Sequence, residues 1–329
     1  MQLLINSSGA ALTVRNGCFV ITNETTSRMV SPLRITSIAI VNNCNVSSQA
    51  ILLAAEQAVP LFVINKTGAI KAQFWSVSLS NHTAIRRQQV LTSDLPETTA
   101  VILKWLTLKC KNQLNNLLLL KYKNDTSGSV EDCTEAFNQA ILQLQTYKDF
   151  TIANCANNLM GIEGAVSRTY FKTVSICLPP AYQFEGRSRM PANDMFNAML
   201  NYLYGMLYSI TENALLTAGL DPCFGILHGD GYDTPALSFD FIEPFRPWAD
   251  ELLIVMCNQH IPLGEWFIIK DGAYRLAPSG KKILIPAFNQ FLHTRIKFDK
   301  KMTTRYNLIY RMAQHFAARL LERYQNLKL

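Results

Sequence analysis

A change of hydrophobic period near residue 76 constrains this chain more than any other feature of its sequence. Before it, apolar residues come in short runs separated by turn residues, the pattern of half-buried strands. Asn16-Gly17, flanked by the apolar runs 12–14 and 18–21, predicts a tight hairpin, because Asn and Gly accept the positive φ that such turns need. Residues 35–41 read as another strand. A helix should start near Ser47, with Ser and Asn available as caps and Ile51, Leu52, Ala55 and Val59 as its apolar stripe, and should end at Pro60. Residues 61–64 and 69–75, separated by Asn65-Lys66-Thr67-Gly68, predict a second hairpin.

Beyond the change, helical periodicity takes over. Residues 101–122 form a long pattern with few breakers, and similar patterns recur at 131–147, 150–176, 193–218, 244–260 and 303–326. Gly- and Pro-bearing stretches at 178–192 and 219–237 read as loops. The expected class is α+β: a small N-terminal β-rich domain (1–76), a linker (77–84) and a larger all-helical domain (85–329).

Nearly half of the residues are apolar (49%), which supports a large core and excludes wholesale disorder. No apolar run reaches the roughly 20 residues that span a bilayer. The longest, residues 50–64, is cut by Glu56, Gln57 and Pro60, and the N-terminus lacks the positive charge of a secretory signal. A soluble, cytoplasmic protein that does not enter membranes is expected. The eight cysteines are scattered, with no Cys-x-x-Cys pair, and read as small hydrophobes or idle thiols. The net charge of +7 is concentrated: residues 287–329 carry nine Lys or Arg against Asp299 and Glu322. Such a basic end suits a polyanion partner, nucleic acid above all, or else a solvated helical face.

Few residues invite chemistry. Glu163 sits among small and apolar neighbours on a helix that should be largely buried, so it must be paired, hydrogen-bonded, protonated or metal-bound. Arg168 or simple exposure could equally satisfy it. His228 lies in a turn with Gly229, Asp230, Gly231 and Asp233. Asp240 and Glu243, three apart, share a face if their segment is helical, and with an imidazole they can hold a divalent cation. They also suit the acidic first turn of a helix opened by Pro244. Arg187 and Arg189 precede a helix that Asn193 or Asp194 could cap, and could clamp phosphates or pair with acids. No P-loop, dinucleotide fingerprint, Gly-x-Ser-x-Gly elbow or zinc-spaced Cys/His set competes.

In order, these segments resemble the CRISPR-associated endonuclease/integrase family Cas1. The resemblance runs through Lys111-Asn112-Gln113, Glu163-Gly164 with Tyr170-Phe171, and Arg187-x-Arg189-x-Pro191 with Asp194 and Asn197-Ala198. It continues through Asn201-Tyr202-x-Tyr204-Gly205, Gly219-x-Asp221-Pro222, Gly225-x-x-His228 and the stretch from Leu237 through Asp240 and Glu243 to Arg246-Pro247. The resemblance implies one Mg²⁺ or Mn²⁺ held by Glu163, His228 and Glu243, with Asp240 supporting or replacing Glu243. It further implies a homodimer, a Cas2-family partner, and insertion of spacer DNA with splayed or single-stranded ends into a CRISPR repeat. Arg187, Arg189, Arg246, Arg295, Lys297, Lys300, Lys301 and Arg305 are the expected DNA contacts. Two other readings stay open: a non-catalytic DNA-binding scaffold of the same fold, and a metal-dependent hydrolase of small molecules.

Overall fold

The computed structural model describes the whole chain except residues 1, 36, 42, 58, 65–69, 75–79, 122–127, 230–234 and 327–329. It divides into two compact units, Met1–Ala84 and Ile85–Leu329.

The first unit holds strands β1 (Gln2–Ile5), β2 (Ala10–Arg15), β3 (Cys18–Thr22), β4 (Ser27–Val30), β5 (Ser37–Ile40) and β6 (Cys44–Val46). Helix α1 (Ser48–Glu56) and strands β7 (Leu61–Ile64) and β8 (Ile70–Phe74) complete it. Two four-stranded sheets result, ordered β4-β3-β2-β6 and β1-β5-β7-β8. The Asn16-Gly17 turn forms as expected: Arg15 pairs with Cys18, and both turn residues have positive φ, 52° and 68°. In the second sheet β1, β5 and β7 run parallel and β8 returns antiparallel to β7. Every residue of β5 is buried, as a strand covered on both faces requires. Ser47 caps α1, its hydroxyl accepting from the Ala50 amide at 3.2 Å. Leu3, Ile5, Leu12, Phe19, Ile38 and Leu61 centre the core of this unit. The loop expected at Asn65–Gly68 and residues 77–79 of the expected linker lie outside the described residues. Residues 80–84 belong to helix α2 (Ser80–Thr92).

The second unit is built on α3 (Pro96–Lys121), α4 (Ser129–Gln145), α5 (Ile152–Cys177), α6 (Met195–Thr217), α7 (Ala236–Ile242) and α8 (Arg246–Asn258). Strands β9 (Phe267–Lys270) and β10 (Ala273–Leu276), helix α9 (Pro278–His293), strands β11 (Arg295–Phe298) and β12 (Lys301–Thr304) and helix α10 (Arg305–Asn326) follow. The unit is predominantly helical, as expected, but carries two antiparallel hairpins in its last quarter. Helices α7 and α8 both pack against α3 and against α6, which places their junction deep in the unit. Trp105 of α3 meets Phe241 of α7 edge to face at 5.2 Å, and Phe196, Phe241, Phe245 and Leu253 are fully buried there.

Candidate metal centre

Two helices carry a charged residue where their apolar stripes predict an apolar one. On α5, Leu159, Val166 and Tyr170 are buried, and Glu163 follows Leu159 by four and precedes Val166 by three. On α3, Lys109 follows Trp105 by four and Leu106 by three, and is itself buried. Ionised groups in such places need partners. They find each other: the Lys109 ammonium contacts Glu163 Oε1, and it lies 2.6 Å from Glu243 Oε2. Ser167 also donates to Glu163 Oε1, at 3.2 Å. The alternative partner considered for Glu163, Arg168, is therefore not the one that satisfies it.

Glu243 is the C-cap of α7, 5% exposed, and its Oε1 is 3.1 Å from Arg246 Nε. Burial alone would raise its pKa, but Arg246 and Lys109 outweigh burial and hold the carboxyl below its usual value. Burial likewise opposes the Lys109 charge, and the Glu243 and Glu163 carboxylates outweigh it, so its pKa is raised. Arg246 is held in turn by the Tyr208 hydroxyl and lies over the rings of Tyr204 and Tyr208, 5.2 and 5.6 Å from their centroids.

Asp240, fully buried on α7, turns the other way. Its Oδ2 accepts from the amides of Ile226 and Leu227 at 2.7 and 3.0 Å, and its Oδ1 from the amide of His228 at 3.2 Å. The same Oδ1 lies 2.6 Å from His228 Nδ1. In the neutral ring, a proton on Nδ1 donated to Asp240 leaves the lone pair on Nε2. The hydrogen bond to Asp240 raises the His228 pKa against the effect of burial, and Glu243 is close enough to add to that rise. Gly225 permits this turn: a Cβ there would sit 2.6 Å from the Ala236 Cβ. The reading of Asp240 and Glu243 as the acidic first turn of a helix is thus corrected. They stand at the end of α7, and α8 begins after them with Phe245 as its N-cap.

The α7–α8 junction is pinned from α3. Asn112 Nδ2 donates to the Pro244 carbonyl and Asn116 Nδ2 to the Pro247 carbonyl, both at 2.8 Å. Asn116 also donates to the Tyr170 hydroxyl at 2.9 Å. Behind the centre, Asp250 is fully buried, accepts from the Tyr204 hydroxyl at 2.8 Å and is pushed up to about 6 by burial.

Three expected DNA contacts are engaged inside the protein. Arg187 is bound by Asn197 Oδ1 and, at 2.9 Å, by Asn201 Oδ1, and lies over Phe171 and Tyr204. Arg246 serves Glu243. Arg305 grips both oxygens of Glu251 at 3.1 and 3.2 Å and stacks 3.9 Å over Phe291. Arg189, Arg295, Lys297, Lys300 and Lys301 are exposed. Lys297 pairs across the β11–β12 hairpin with Met302, and Asp299-Lys300 makes its tight turn with φ of 46° and 63°. Capping by Asp194 sets the start of α6, its Oδ1 accepting from the Asn197 amide at 2.7 Å.

Lys109 is the residue that reading the motifs passed over. The signal was the lysine's place on the apolar stripe, not its neighbours in Lys111-Asn112-Gln113. None of the eight cysteines is in a disulfide, and burial pushes Cys110 and Cys257 up to about 11 and 12, so neither is a nucleophile near neutrality. No helix among the described residues is long and apolar enough to cross a membrane. Nor do three His, Cys, Asp or Glu side chains among them already stand as a closed ligand set. The donors nonetheless suit a divalent ion, since two carboxylates converge on one cation position and an imidazole oriented by Asp240 lies close enough to Glu243 to feel its charge.

The fold is shared with solved structures. A Cas1 protein from Thermotoga maritima matches with a TM-score of 0.72 at 16% identity, covering 98% of this chain and 97% of that one. A casposase bound to integration product matches with a TM-score of 0.71 at 22% identity, covering 98% and 96%. The family model for CRISPR associated protein Cas1 matches residues 3–290, and the chain belongs to that family. An endonuclease Cas1 of Archaeoglobus fulgidus is 29% identical over 311 residues, 91% of this chain and 90% of the relative. A Cas4 exonuclease/Cas1 endonuclease fusion of Leptospira interrogans is 29% identical over 88% of this chain, which spans about half (52%) of the fusion's length.

Proposed function

We propose that this chain is the divalent-metal-dependent endonuclease and integrase that inserts new spacer DNA into a CRISPR array. Family membership and the curated endonuclease relatives support the nuclease and integrase part of this reading. The observation that carries the metal part is the convergence of Glu163 and Glu243 on a single cation position, with His228 oriented through Nδ1 by Asp240.

Glu163, His228 and Glu243 would hold Mg²⁺ or Mn²⁺. A bound ion of this kind supplies Lewis-acid polarisation of a phosphate and orients an attacking oxygen. The chain's own residues do the rest. Asp240 fixes the tautomer and angle of His228, and Arg246 keeps Glu243 ionised and aimed. Asn112 and Asn116 hold the α7–α8 junction against α3. Arg189 and the exposed cations of the β11–β12 hairpin are suited to gripping phosphates, which positions DNA without reading its sequence. The attacking oxygen is a terminal sugar hydroxyl in integration and water in cleavage, and no protein nucleophile is needed. A Cas2-family partner and a homodimer complete the proposal, on the strength of the family and of fold neighbours that include Cas1–Cas2 complexes.

Strand transfer on a labelled branched DNA, in Mn²⁺ or Mg²⁺, tests this. The native chain should rejoin strands only with metal, and His228→Ala should not. Inactivity of both proteins with a Cas2 partner present would favour the non-catalytic scaffold, and activity surviving in His228→Ala would place the metal elsewhere.

A further inference from the structure

From the position of Lys109 we infer a built-in counter-cation, one that competes with the divalent ion for Glu163 and Glu243 and so limits how tightly that ion is held. The inference rests on the metal reading of the site given above. Three observations carry it. The lysine is 5% exposed, so its charge is not a surface accident. Its ammonium contacts both acids at once, Glu163 Oε1 and Glu243 Oε2, where a metal ion shared by the two would stand. Glu243 has a second cation, Arg246, on its other oxygen, so Lys109 is not required merely to neutralise that carboxylate.

The physical consequence has two sides. Without a metal, two close carboxylates in a buried place repel and are poorly solvated, and the ammonium between them offsets that repulsion and keeps them converged. With a metal, the same ammonium is a like charge beside a dication, and it must swing aside on its flexible stem or weaken the site. Lysine suits such a task because it is a compact charge that can withdraw, whereas the planar forks of Arg246 and Arg187 are stacked in place. Lys109 is therefore a positioning residue that keeps the empty centre assembled at a cost in metal affinity.

Titration of the full chain with Mn²⁺, following free Mn²⁺ by electron paramagnetic resonance, tests this on the native protein, Lys109→Gln and Lys109→Arg. Thermal unfolding in chelator and in excess Mn²⁺ runs alongside. Lys109→Gln should bind Mn²⁺ at least about tenfold more tightly, since a repelling charge is gone. It should also melt lower than native in chelator and gain more from Mn²⁺. Lys109→Arg, which keeps the charge, should stay closer to native in affinity. Should the Gln variant fail to fold without metal, purification in Mn²⁺ and back-titration with chelator gives the same comparison. Equal or weaker binding by Lys109→Gln overturns the counter-cation and makes Lys109 a supporter of the loaded site. Absence of Mn²⁺ binding and of any Mn²⁺-dependent melting shift in all three proteins would instead sink the metal reading itself.

Discussion

Asp240 and Glu243 are three residues apart and do opposite things, and the difference is one of hydrogen-bond capacity. Asp240 directs both oxygens at the 226–228 turn and the His228 ring, which leaves it little to offer an ion. Asp240→Asn would put an amide where three backbone N–H groups and a ring N–H need an acceptor. It should lose about 1–3 kcal/mol of stability in thermal unfolding. Its Mn²⁺ affinity should drop about 10- to 100-fold, as expected when the group that orients a metal-bound histidine is removed. Asp250 makes a pH prediction. It ionises near 3.8 in the unfolded chain and near 6 in the fold, so between those values the unfolded chain holds fewer protons and stability falls as pH rises. Two units correspond to about 3 kcal/mol. Asp250→Asn keeps an acceptor for Tyr204 and removes this dependence. The stability of the variant relative to native should therefore climb by up to that amount between about pH 4 and pH 6.5. A flat difference in denaturant melts across this window would refute the assignment.

At the scale of elements, the centre depends on a loop pressed against a helix start and a junction pinned from a third helix. Gly225→Ala would drive a methyl group into Ala236, separating the His228 turn from α7. A cost of about 1–3 kcal/mol is expected from such overpacking, with loss of strand transfer because His228 moves with the turn. Asn116→Ala tests the pin. It strips the Pro247 carbonyl and the Tyr170 hydroxyl of a buried donor, for about 1–3 kcal/mol in urea melts, while leaving the proposed ligands untouched. The hydrophobic stripes of α3 and α5 predict these helices well, and the same stripes explain why Lys109 and Glu163 end up side by side. Two charges on buried faces of neighbouring helices must find each other or destabilise both.

On the scale of the whole molecule, the positive charge near the C-terminus separates into two populations. Arg305 is structural, gripping Glu251 across Phe291, whereas Arg295, Lys297, Lys300 and Lys301 are exposed on a two-stranded ribbon. Replacing those four with Gln should lower the slope of log affinity for DNA against log salt by about 3 to 4, if each neutralises one phosphate. Arg305→Ala should leave that slope nearly unchanged and lower the melting temperature instead. Equal slopes for native protein and quadruple variant in fluorescence anisotropy would remove the ribbon from the DNA path.

Local pattern and turn chemistry by themselves determined the β-to-helical succession of this chain and its long helices. The Asn16-Gly17 hairpin, the Ser47-capped helix and the long helices of the second unit all follow from short-range spacing, which depends only on near neighbours. Helix α9 and the two C-terminal hairpins escaped that reading. Pro278 and Pro286 obscure the helical period, and four-residue strands carry too few side chains to show alternation. The resemblance to Cas1 named Glu163, His228 and Glu243, but only tertiary structure decided what each faces. Asp240 and Glu243 divide their tasks because α7 is packed between α3 and α6, and Arg187 and Arg305 are withdrawn from solvent by partners 10 to 54 positions away. Lys109 is brought to Glu163 and Glu243 by the same long-range packing. Sequence spacing specifies which face of a helix a charge occupies; which other charge it meets there is settled only when the faces close on one another.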